Sequence, residues 1–120
     1  MLKSTQHKSL GKQNVRIAIV ASTYNAEYVD GMIEGALEVL TGEVELIRVP
    51  GAFEIPVAAA ALARRKRLRP AVVICLGVIL RGQTMHAEHV GQTVTQQLAT
   101  LAVETGIPIV HEVLLLENKT

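Results

Sequence analysis

The chain has 120 residues, of which 49% are hydrophobic and 2% aromatic, and its formal net charge is +1. This length suits one domain with an aliphatic core, and the nearly neutral charge argues against a general nucleic-acid or membrane-surface role. The single cysteine, Cys75, excludes an internal disulfide, and its aliphatic neighbours predict a buried, unreactive thiol. Because no apolar run reaches the roughly twenty residues of a membrane span and no signal-peptide core is present, we expect a cytoplasmic protein.

The first part of the chain predicts a tail, a strand and a helix. Residues 1–14 are polar and lack periodicity, which indicates a tail without structure of its own. The β-branched run Val15–Ser22 predicts a strand buried on both faces, with a loop at Thr23–Asn25. Apolar residues then recur at helical spacing, which predicts an amphipathic helix that begins at Ala26 and is ended by Gly42. Its apolar stripe consists of Val29, Met32, Ile33, Ala36, Leu37 and Leu40.

A second strand and a second helix follow. The strand Val44–Val49 alternates in polarity and is expected near a sheet edge. After a turn at Pro50–Gly51, a helix is predicted with Pro56 in an early position and an alanine-rich run to Ala63. The basic run Arg64–Arg69 then has two interpretations. It is either the solvated end of this helix, where cations complement the helix dipole, or a site for nucleic acid or phosphate.

The remaining elements complete an alternation of strands and helices. A third strand, Ala71–Val78, leads into a loop at Ile79–His86 and then into a third helix, which Gly106 ends. A fourth strand is predicted at Ile107–Leu116. Such alternation predicts an α/β fold with a four-stranded parallel sheet and helices on both faces. One face of the third helix carries Val90, Val94, Leu98 and Leu101.

Candidate functional residues gather where the predicted strands end. Parallel topology brings the three loops Thr23–Asn25, Pro50–Glu54 and Ile79–His86 to one rim of the sheet. In the third loop, residues just before the helix can offer backbone N–H groups and a hydroxyl to a phosphate. They can equally form an ordinary strand–helix turn with a threonine cap. The residues in question are Gly82, Gln83 and Thr84.

Other side chains of the rim each have two interpretations. His86 suits proton transfer near neutral pH, or is a helix-start residue bonded to backbone. Together with Glu88 and His89 it suggests a metal site only weakly, because further ligands are lacking. Tyr24 offers a ring for stacking on a planar heterocycle, or covers the edge of the core. Glu54 accepts hydrogen bonds from ligand hydroxyls, or is an acid favoured by the helix dipole.

At the level of motifs the sequence closely resembles the lumazine synthases. The resemblance lies in Val49–Pro56 (VPGAFEIP), Leu76–His86 (LGVILRGQTMH), Tyr24–Asn25 and Glu104–Pro108, and it runs over Val15–Asn118. It implies a flavodoxin-like three-layer α/β/α sandwich and a step of riboflavin biosynthesis. In that step 5-amino-6-(D-ribitylamino)uracil condenses with 3,4-dihydroxy-2-butanone 4-phosphate to give 6,7-dimethyl-8-ribityllumazine, phosphate and water. The family requires no metal or organic cofactor.

The resemblance also implies roles for individual residues. Tyr24 resembles the family's stacking aromatic, with Tyr where Phe is usual, and Asn25 helps to position the pyrimidine or ribityl chain. His86 is implied to be the general acid and base. The other implied contacts are Ala52, Phe53 and Glu54 for the ribityl hydroxyls, the Ile79 and Leu80 backbone for the pyrimidine edge, and Gly82, Gln83 and Thr84 for the phosphate.

Two departures from the family qualify these implications. The family's site is shared between subunits of a pentamer or icosahedral shell, with riboflavin synthase as a partner, and His111 stands where the neighbour usually supplies an aromatic. The family also continues for about two more helices, which carry a phosphate-binding Arg and a Lys, so we expect the sequence to be an incomplete stretch of a longer enzyme. The alternative hypothesis is a non-catalytic cage-forming or flavin-like-ligand-binding protein of the same fold.

Overall fold

The computed structural model describes residues 15–82 and 86–117, and the predicted tail at 1–14 lies outside this range. Its elements in chain order are β1 (Arg16–Ser22), α1 (Ala26–Val39), β2 (Glu43–Val49), a 3₁₀ turn (Ala52–Glu54), α2 (Ile55–Ala63), β3 (Val72–Arg81), α3 (Ala87–Thr105) and β4 (Ile109–Glu117). The strands form a parallel sheet in the order β2-β1-β3-β4. The predicted α/β fold with a four-stranded parallel sheet is therefore confirmed, and β2 lies at an edge as expected.

The core consists of two apolar layers, one on each face of the sheet. Ile19 and Ala21 of β1 pack in the layer beneath α1, whereas Ala18 and Val20 pack in the layer beneath α2 and α3. All four side chains are fully buried, which confirms a strand covered on both faces. On the α1 side of β4, by contrast, Val110 is exposed.

The free thiol lies inside the second of these layers. Cys75 sits in the middle of β3 and packs among the residues beneath α2 and α3. Burial raises the pKa of its thiol to about 12, because the apolar surroundings disfavour the thiolate. Since the thiolate is the reactive form, the prediction of a buried and unreactive cysteine fits this environment.

The predicted end of the third strand is wrong by three residues. β3 continues through Arg81, so Ile79 and Leu80 belong to the strand and not to the loop. The reason is tertiary, because this part of β3 pairs with β4 as far as Arg81 opposite Glu117. Its pairing with β1 ends much earlier, at Leu76 opposite Ala21.

The helices agree with the predicted faces, with small differences at their ends. Val29 and Ile33 of the α1 stripe are buried and Ala36 and Leu40 pack against the same core layer, but Leu37 is exposed. α3 buries Val94, Leu98 and Leu101, and Gly106 ends it in the left-handed conformation, with φ of 73°. None of the helices in the described residues is long and apolar enough to cross a membrane.

The basic run follows α2 directly. α2 ends at Ala63, as the sequence predicts, and Arg64 is its C-cap residue, so the run begins at the carboxyl end of the helix. Arg64 forms an ion pair with Glu104 of α3 at 2.9 Å, and Arg65 pairs with Glu45 of β2, also at 2.9 Å. Carboxylates on two neighbouring elements thus neutralise part of the run.

Candidate active site

A cavity of about 160 Å³ opens at the carboxyl ends of β1 and β3. Seven of the ten predicted substrate-binding residues line it, and they come from three separate segments of the chain. Its lining consists of Tyr24, Asn25, Gly51, Ala52, Phe53, Glu54, Val78, Ile79, Leu80 and Val90. Gln83 and Thr84, predicted for the phosphate, lie outside the described residues.

Tyr24 stands in a loop that runs beside the turn after β2. The backbone N–H of Thr23 donates to the carbonyl of Val49 at 2.7 Å, and that of Tyr24 donates to the carbonyl of Pro50 at 2.9 Å. These two bonds continue the pairing of β1 with β2 beyond the strands. The Tyr24 side chain is 60% exposed, so its ring is accessible to a planar ligand at the mouth of the cavity.

Asn25 joins this loop to β3. It has a left-handed backbone, with φ of 62°, and stands at the start of α1, a conformation that Asn tolerates better than most residues. Its Nδ2 donates to the carbonyl of Val78 at 2.8 Å. The amide nitrogen is therefore engaged within the protein, which leaves the side-chain oxygen as the group best suited to meet a ligand.

The turn after β2 places three predicted residues together. The backbone N–H of Gly51 donates to Oε1 of Glu54 at 2.9 Å, so the Glu54 carboxylate caps the start of the 3₁₀ turn Ala52–Glu54. An ionised carboxylate has further acceptor capacity beyond one bond, so this role is compatible with ligand binding. Ala52 is buried, whereas Phe53 is 58% exposed at the cavity.

The end of β3 lines the cavity with Val78, Ile79 and Leu80. Ile79 and Leu80 have buried side chains. The carbonyl of Val78 points towards the β1 side, as its bond to Asn25 shows, and backbone groups two residues apart on a strand share a direction. The N–H and C=O of Leu80 thus face the same edge, where β1 has already ended.

His86 stands at the amino-terminal end of α3 with an exposed side chain, and it is not among the described residues that line the cavity. Its carbonyl accepts the first helical bond from Val90 at 2.8 Å, so His86 occupies the N-cap position, while Thr84 lies outside the described residues. Its ring meets that of His89 edge to face, with ring centroids 6.0 Å apart. No cluster of three metal-binding side chains occurs among residues 15–82 and 86–117.

Arg81 is already engaged by two carboxylates. Its Nε donates to Glu117 of β4 at 2.8 Å, and its Nη1 contacts Glu88 of α3. One cation between two anions gives the cluster a net negative charge. Arg81 therefore ties the end of β3 to β4 and α3, and its charge is not available to an anion in this arrangement.

The sequence matches the family model described as 6,7-dimethyl-8-ribityllumazine synthase over residues 14–120. The chain belongs to this family. A relative of that name from Kineococcus radiotolerans is 45% identical over 109 residues, which cover 88% of this chain and 66% of the relative. The Streptomyces coelicolor relative is 42% identical, covering 80% and 60%, and one from Xanthomonas oryzae pv. oryzae is 39% identical, covering 86% and 70%. The chain thus spans about two thirds of the length of the curated relatives it matches.

His111 stands where the lumazine synthase family usually has an aromatic that contacts a neighbouring subunit, but its ring is bonded within its own chain. Its Nδ1 accepts the backbone N–H of Val113 at 3.0 Å, and its Nε2 lies 2.7 Å from Oγ1 of Thr95. Because Nδ1 is an acceptor, the neutral ring carries its proton on Nε2 and donates to Thr95. Both ring nitrogens are therefore engaged within the chain, and only the ring face and edges are available to a neighbouring subunit.

A larger cavity lies elsewhere, between α3 and β4. It has a volume of about 560 Å³ and is lined by Glu88, Gly91, Gln92, Thr95, Gln96, Val113 and Leu115. None of the predicted site residues lines it within the described part of the chain. The smaller cavity is the better candidate in this lumazine synthase family member, because it combines exposed aromatic rings with directed backbone groups.

Sequence reasoning missed Arg48, which contacts the last two carbonyls of β1. The only sequence signal was its position, as an outward-facing cation one residue before the end of an alternating strand. No pattern indicated that its guanidinium would reach across to another strand.

Proposed function

We propose that this protein acts as a 6,7-dimethyl-8-ribityllumazine synthase in riboflavin biosynthesis. It condenses 5-amino-6-(D-ribitylamino)uracil with 3,4-dihydroxy-2-butanone 4-phosphate. The observation that carries the proposal is the cavity of about 160 Å³ around which Tyr24, Asn25, Phe53, Glu54 and Leu80 converge. The names of the relatives support catalysis and do not favour the non-catalytic alternative.

The pyrimidine substrate binds in the cavity. Its ring stacks on Tyr24, whose exposed side chain supports this role. Its polar edge meets the end of β3 at Ile79 and Leu80, where the backbone N–H and C=O of Leu80 face the side that β1 no longer covers and Ile79 pairs with Leu115 of β4. A uracil edge alternates hydrogen-bond donors and acceptors, and so does the unpaired edge of a strand. The side-chain oxygen of Asn25 helps to orient the ring.

The ribityl chain lies along the turn Ala52–Glu54. Its hydroxyls donate to the Glu54 carboxylate, which has acceptor capacity beyond its bond to Gly51. Phe53 covers the carbon backbone of the chain. This division matches the amphipathic character of a sugar alcohol, with hydroxyls on one side and C–H groups on the other.

The phosphate of the second substrate binds at Gly82, Gln83 and Thr84, close to the start of α3. Backbone N–H groups at a helix start and the positive end of its dipole favour an anion there. A site made of fixed donors suits a leaving phosphate, because no strong nucleophile is needed. Arg81 does not contribute, since Glu88 and Glu117 neutralise it.

His86 transfers the protons. The pyrimidine amine attacks the ketone carbon, and protonation of the resulting hydroxyl lets water leave to form an imine. Loss of a proton from the hydroxyl-bearing carbon then expels phosphate with the electrons of its C–O bond and leaves an enol, which takes up a proton at its terminal carbon and becomes a ketone. The ribityl-bearing nitrogen attacks this ketone, and loss of a second water closes the ring. A single imidazole that accepts and returns a proton serves each step, while the cavity holds the two reactants together.

The same proposal includes an assembly. We place His111 at the surface that a neighbouring copy meets, in a pentamer or icosahedral shell, with riboflavin synthase as a partner that receives the product. The protein works in the cytoplasm, where a buried reduced Cys75 is stable. Residues from Val15 onwards form a single domain around the sheet.

Mixing the two substrates with the protein and following the absorbance of the lumazine product tests the proposal. We expect turnover by the wild-type protein and a fall of about 10²- to 10⁴-fold in kcat for His86→Ala, with little change in KM. His89→Ala, which removes the neighbouring imidazole in the first turn of α3, is the matched control. Because its ring contacts that of His86, it should lower kcat slightly, far less than His86→Ala does. Absence of product at high protein concentration would exclude the function, and equal losses in the two variants would exclude the role of His86.

A further inference from the structure

The Arg48 side chain joins three elements beside the candidate site. From the edge strand β2, its Nε donates to the carbonyl of Ala21 at 3.3 Å and its Nη2 donates to the carbonyl of Ser22 at 2.8 Å. The same Nη2 lies 3.2 Å from Oδ1 of Asp30, in the first half of α1. A single guanidinium thus holds the last carbonyls of β1 and the helix that follows.

These contacts lie directly before the loop that carries Tyr24. The loop begins after Ser22 and ends at Asn25, whose side chain is fixed to Val78 of β3. Within the loop, the N–H of Tyr24 donates to the carbonyl of Pro50. Arg48 therefore holds the start of the loop and Asn25 its end, on either side of the backbone bonds of Thr23 and Tyr24, and each contributes to where the Tyr24 ring projects.

The arrangement requires an arginine. Nε and Nη2 are held in one plane, so they can meet two successive carbonyls at a fixed spacing while Asp30 orients the group. A lysine in this place keeps an attraction to Asp30, but its single ammonium group lacks the planar fork. Arg48 is about one third exposed, so its contacts are only partly weakened by water.

We propose that Arg48, oriented by Asp30, is a positioning residue for Tyr24 and therefore acts on binding of the heterocyclic substrate. This inference rests on the proposed function for its effect on substrate. Its structural part, the placement of residues 23–24, is independent of that function. Arg48 does not line the cavity within the described residues, so it acts through the loop and not on the reacting atoms.

Amide hydrogen exchange measured by NMR tests the structural part. In Arg48→Met the amides of Thr23 and Tyr24 should exchange about tenfold faster, because the start of their loop is released. The matched control is Arg65→Met. Like Arg48, Arg65 donates three hydrogen bonds, but two of them reach Glu45 of β2 and one reaches the carbonyl of Leu68, near the amino ends of the strands. Equal exchange of these two amides in both variants would overturn the proposal.

Steady-state kinetics test the effect on substrate. Arg48→Met should raise KM for the ribitylaminouracil about tenfold, with smaller changes in kcat and in KM for the butanone phosphate. Arg48→Lys should recover only part of this loss. A fall in kcat at unchanged KM for the ribitylaminouracil would contradict a positioning role.

Two further outcomes remain decisive. If wild-type protein forms no product, the proposed function fails, and the exchange experiment still decides whether Arg48 places the loop. If Arg48→Met does not fold, Asp30→Asn removes the charged partner and leaves the bonds to β1, so it should give the same changes at smaller size. Unchanged exchange and unchanged KM in Asp30→Asn would then overturn the proposal.

Discussion

The two ends of the sheet use polar groups in different ways. At the amino ends of β1 and β2, a concavity of about 440 Å³ has a charged lining in which Arg16 pairs with Glu43 and Arg65 pairs with Glu45, with Arg67 beside them. At the carboxyl ends, the smaller cavity is lined by exposed aromatic rings and by the end of β3. Charges that neutralise each other support the fold, whereas unpaired rings and backbone edges are available to a ligand. The character of the lining therefore identifies the candidate site better than volume does.

The largest effect on stability is expected from a substitution in the packing near the carboxyl ends of the strands, at Gly77 of β3. A methyl group on Gly77 would lie 3.0 Å from Cδ1 of Ile55 and 3.4 Å from both Oγ of Ser22 and Cγ1 of Val113. Ile55 is fully buried and cannot easily move away. We expect Gly77→Ala to lower the free energy of unfolding by about 1–3 kcal/mol, measured by urea denaturation.

The control for this substitution is Gly35→Ala on α1. No atom lies within 4 Å of its added methyl group, and alanine favours helix more than glycine does. This control should leave the protein as stable as the wild type or stabilise it by up to about 1 kcal/mol. Wild-type stability in Gly77→Ala would mean that the region beneath the cavity adapts more freely than its close contacts indicate.

The exposed ring of Tyr24 gives the next largest effect, on ligand binding. Tyr24→Ala should weaken binding of 6,7-dimethyl-8-ribityllumazine by about 0.5–1.5 kcal/mol, or about two- to tenfold in Kd, because stacking is lost. Tyr24→Phe keeps the ring and should bind almost as well as the wild type. Equilibrium titration with the lumazine measures both.

Tyr28→Ala is the matched control for Tyr24. Tyr28 is also exposed, but it lies on α1 and does not line the cavity within the described residues. Its removal should leave Kd unchanged. If Tyr28→Ala and Tyr24→Ala weakened binding equally, the stacking role assigned to Tyr24 would be wrong.

Periodicity predicted the architecture because its causes are local. The spacing of apolar residues along the chain predicts which side chains face the core. Val20, Val29 and Val94 were predicted to do so, and all three are fully buried. The edge position of β2 was also predicted, from the alternating polarity of its residues, whereas the order of the other strands was not. The convergence of the Tyr24 and Phe53 loops was predictable from parallel topology before any contact was known.

What periodicity missed depends on contacts between distant residues. The extension of β3 to Arg81 follows from pairing with β4, and the engagement of His111 follows from Thr95 of α3. Arg48 meets β1 and α1 through bonds that span 18–27 positions of the chain. Such contacts have no signature in a single sequence, because a polar residue on an alternating strand looks the same whether it faces water or a partner.

The paired charges at the amino end should give the smallest effect, one that is present near neutral pH and lost in acid. The hydrogen bond from Arg65 lowers the pKa of Glu45 below its ordinary value, against the opposing influence of burial. A carboxyl group with a lowered pKa in the folded state contributes stability above its unfolded pKa, and this is lost as pH falls through the folded pKa. Glu45→Gln should therefore be less stable than the wild type near neutral pH.

The difference between Glu45→Gln and the wild type should shrink as the solution becomes acidic, which urea denaturation over a series of pH values will show. It should be small throughout, because Glu45 and Arg65 are each about one third exposed and water screens the pair. Glu43→Gln is the control, since Glu43 pairs with Arg16 at 3.3 Å but is far more exposed. A loss of substrate binding in Glu45→Gln would contradict the separation of the two ends, because this pair would then support the site as well as the fold.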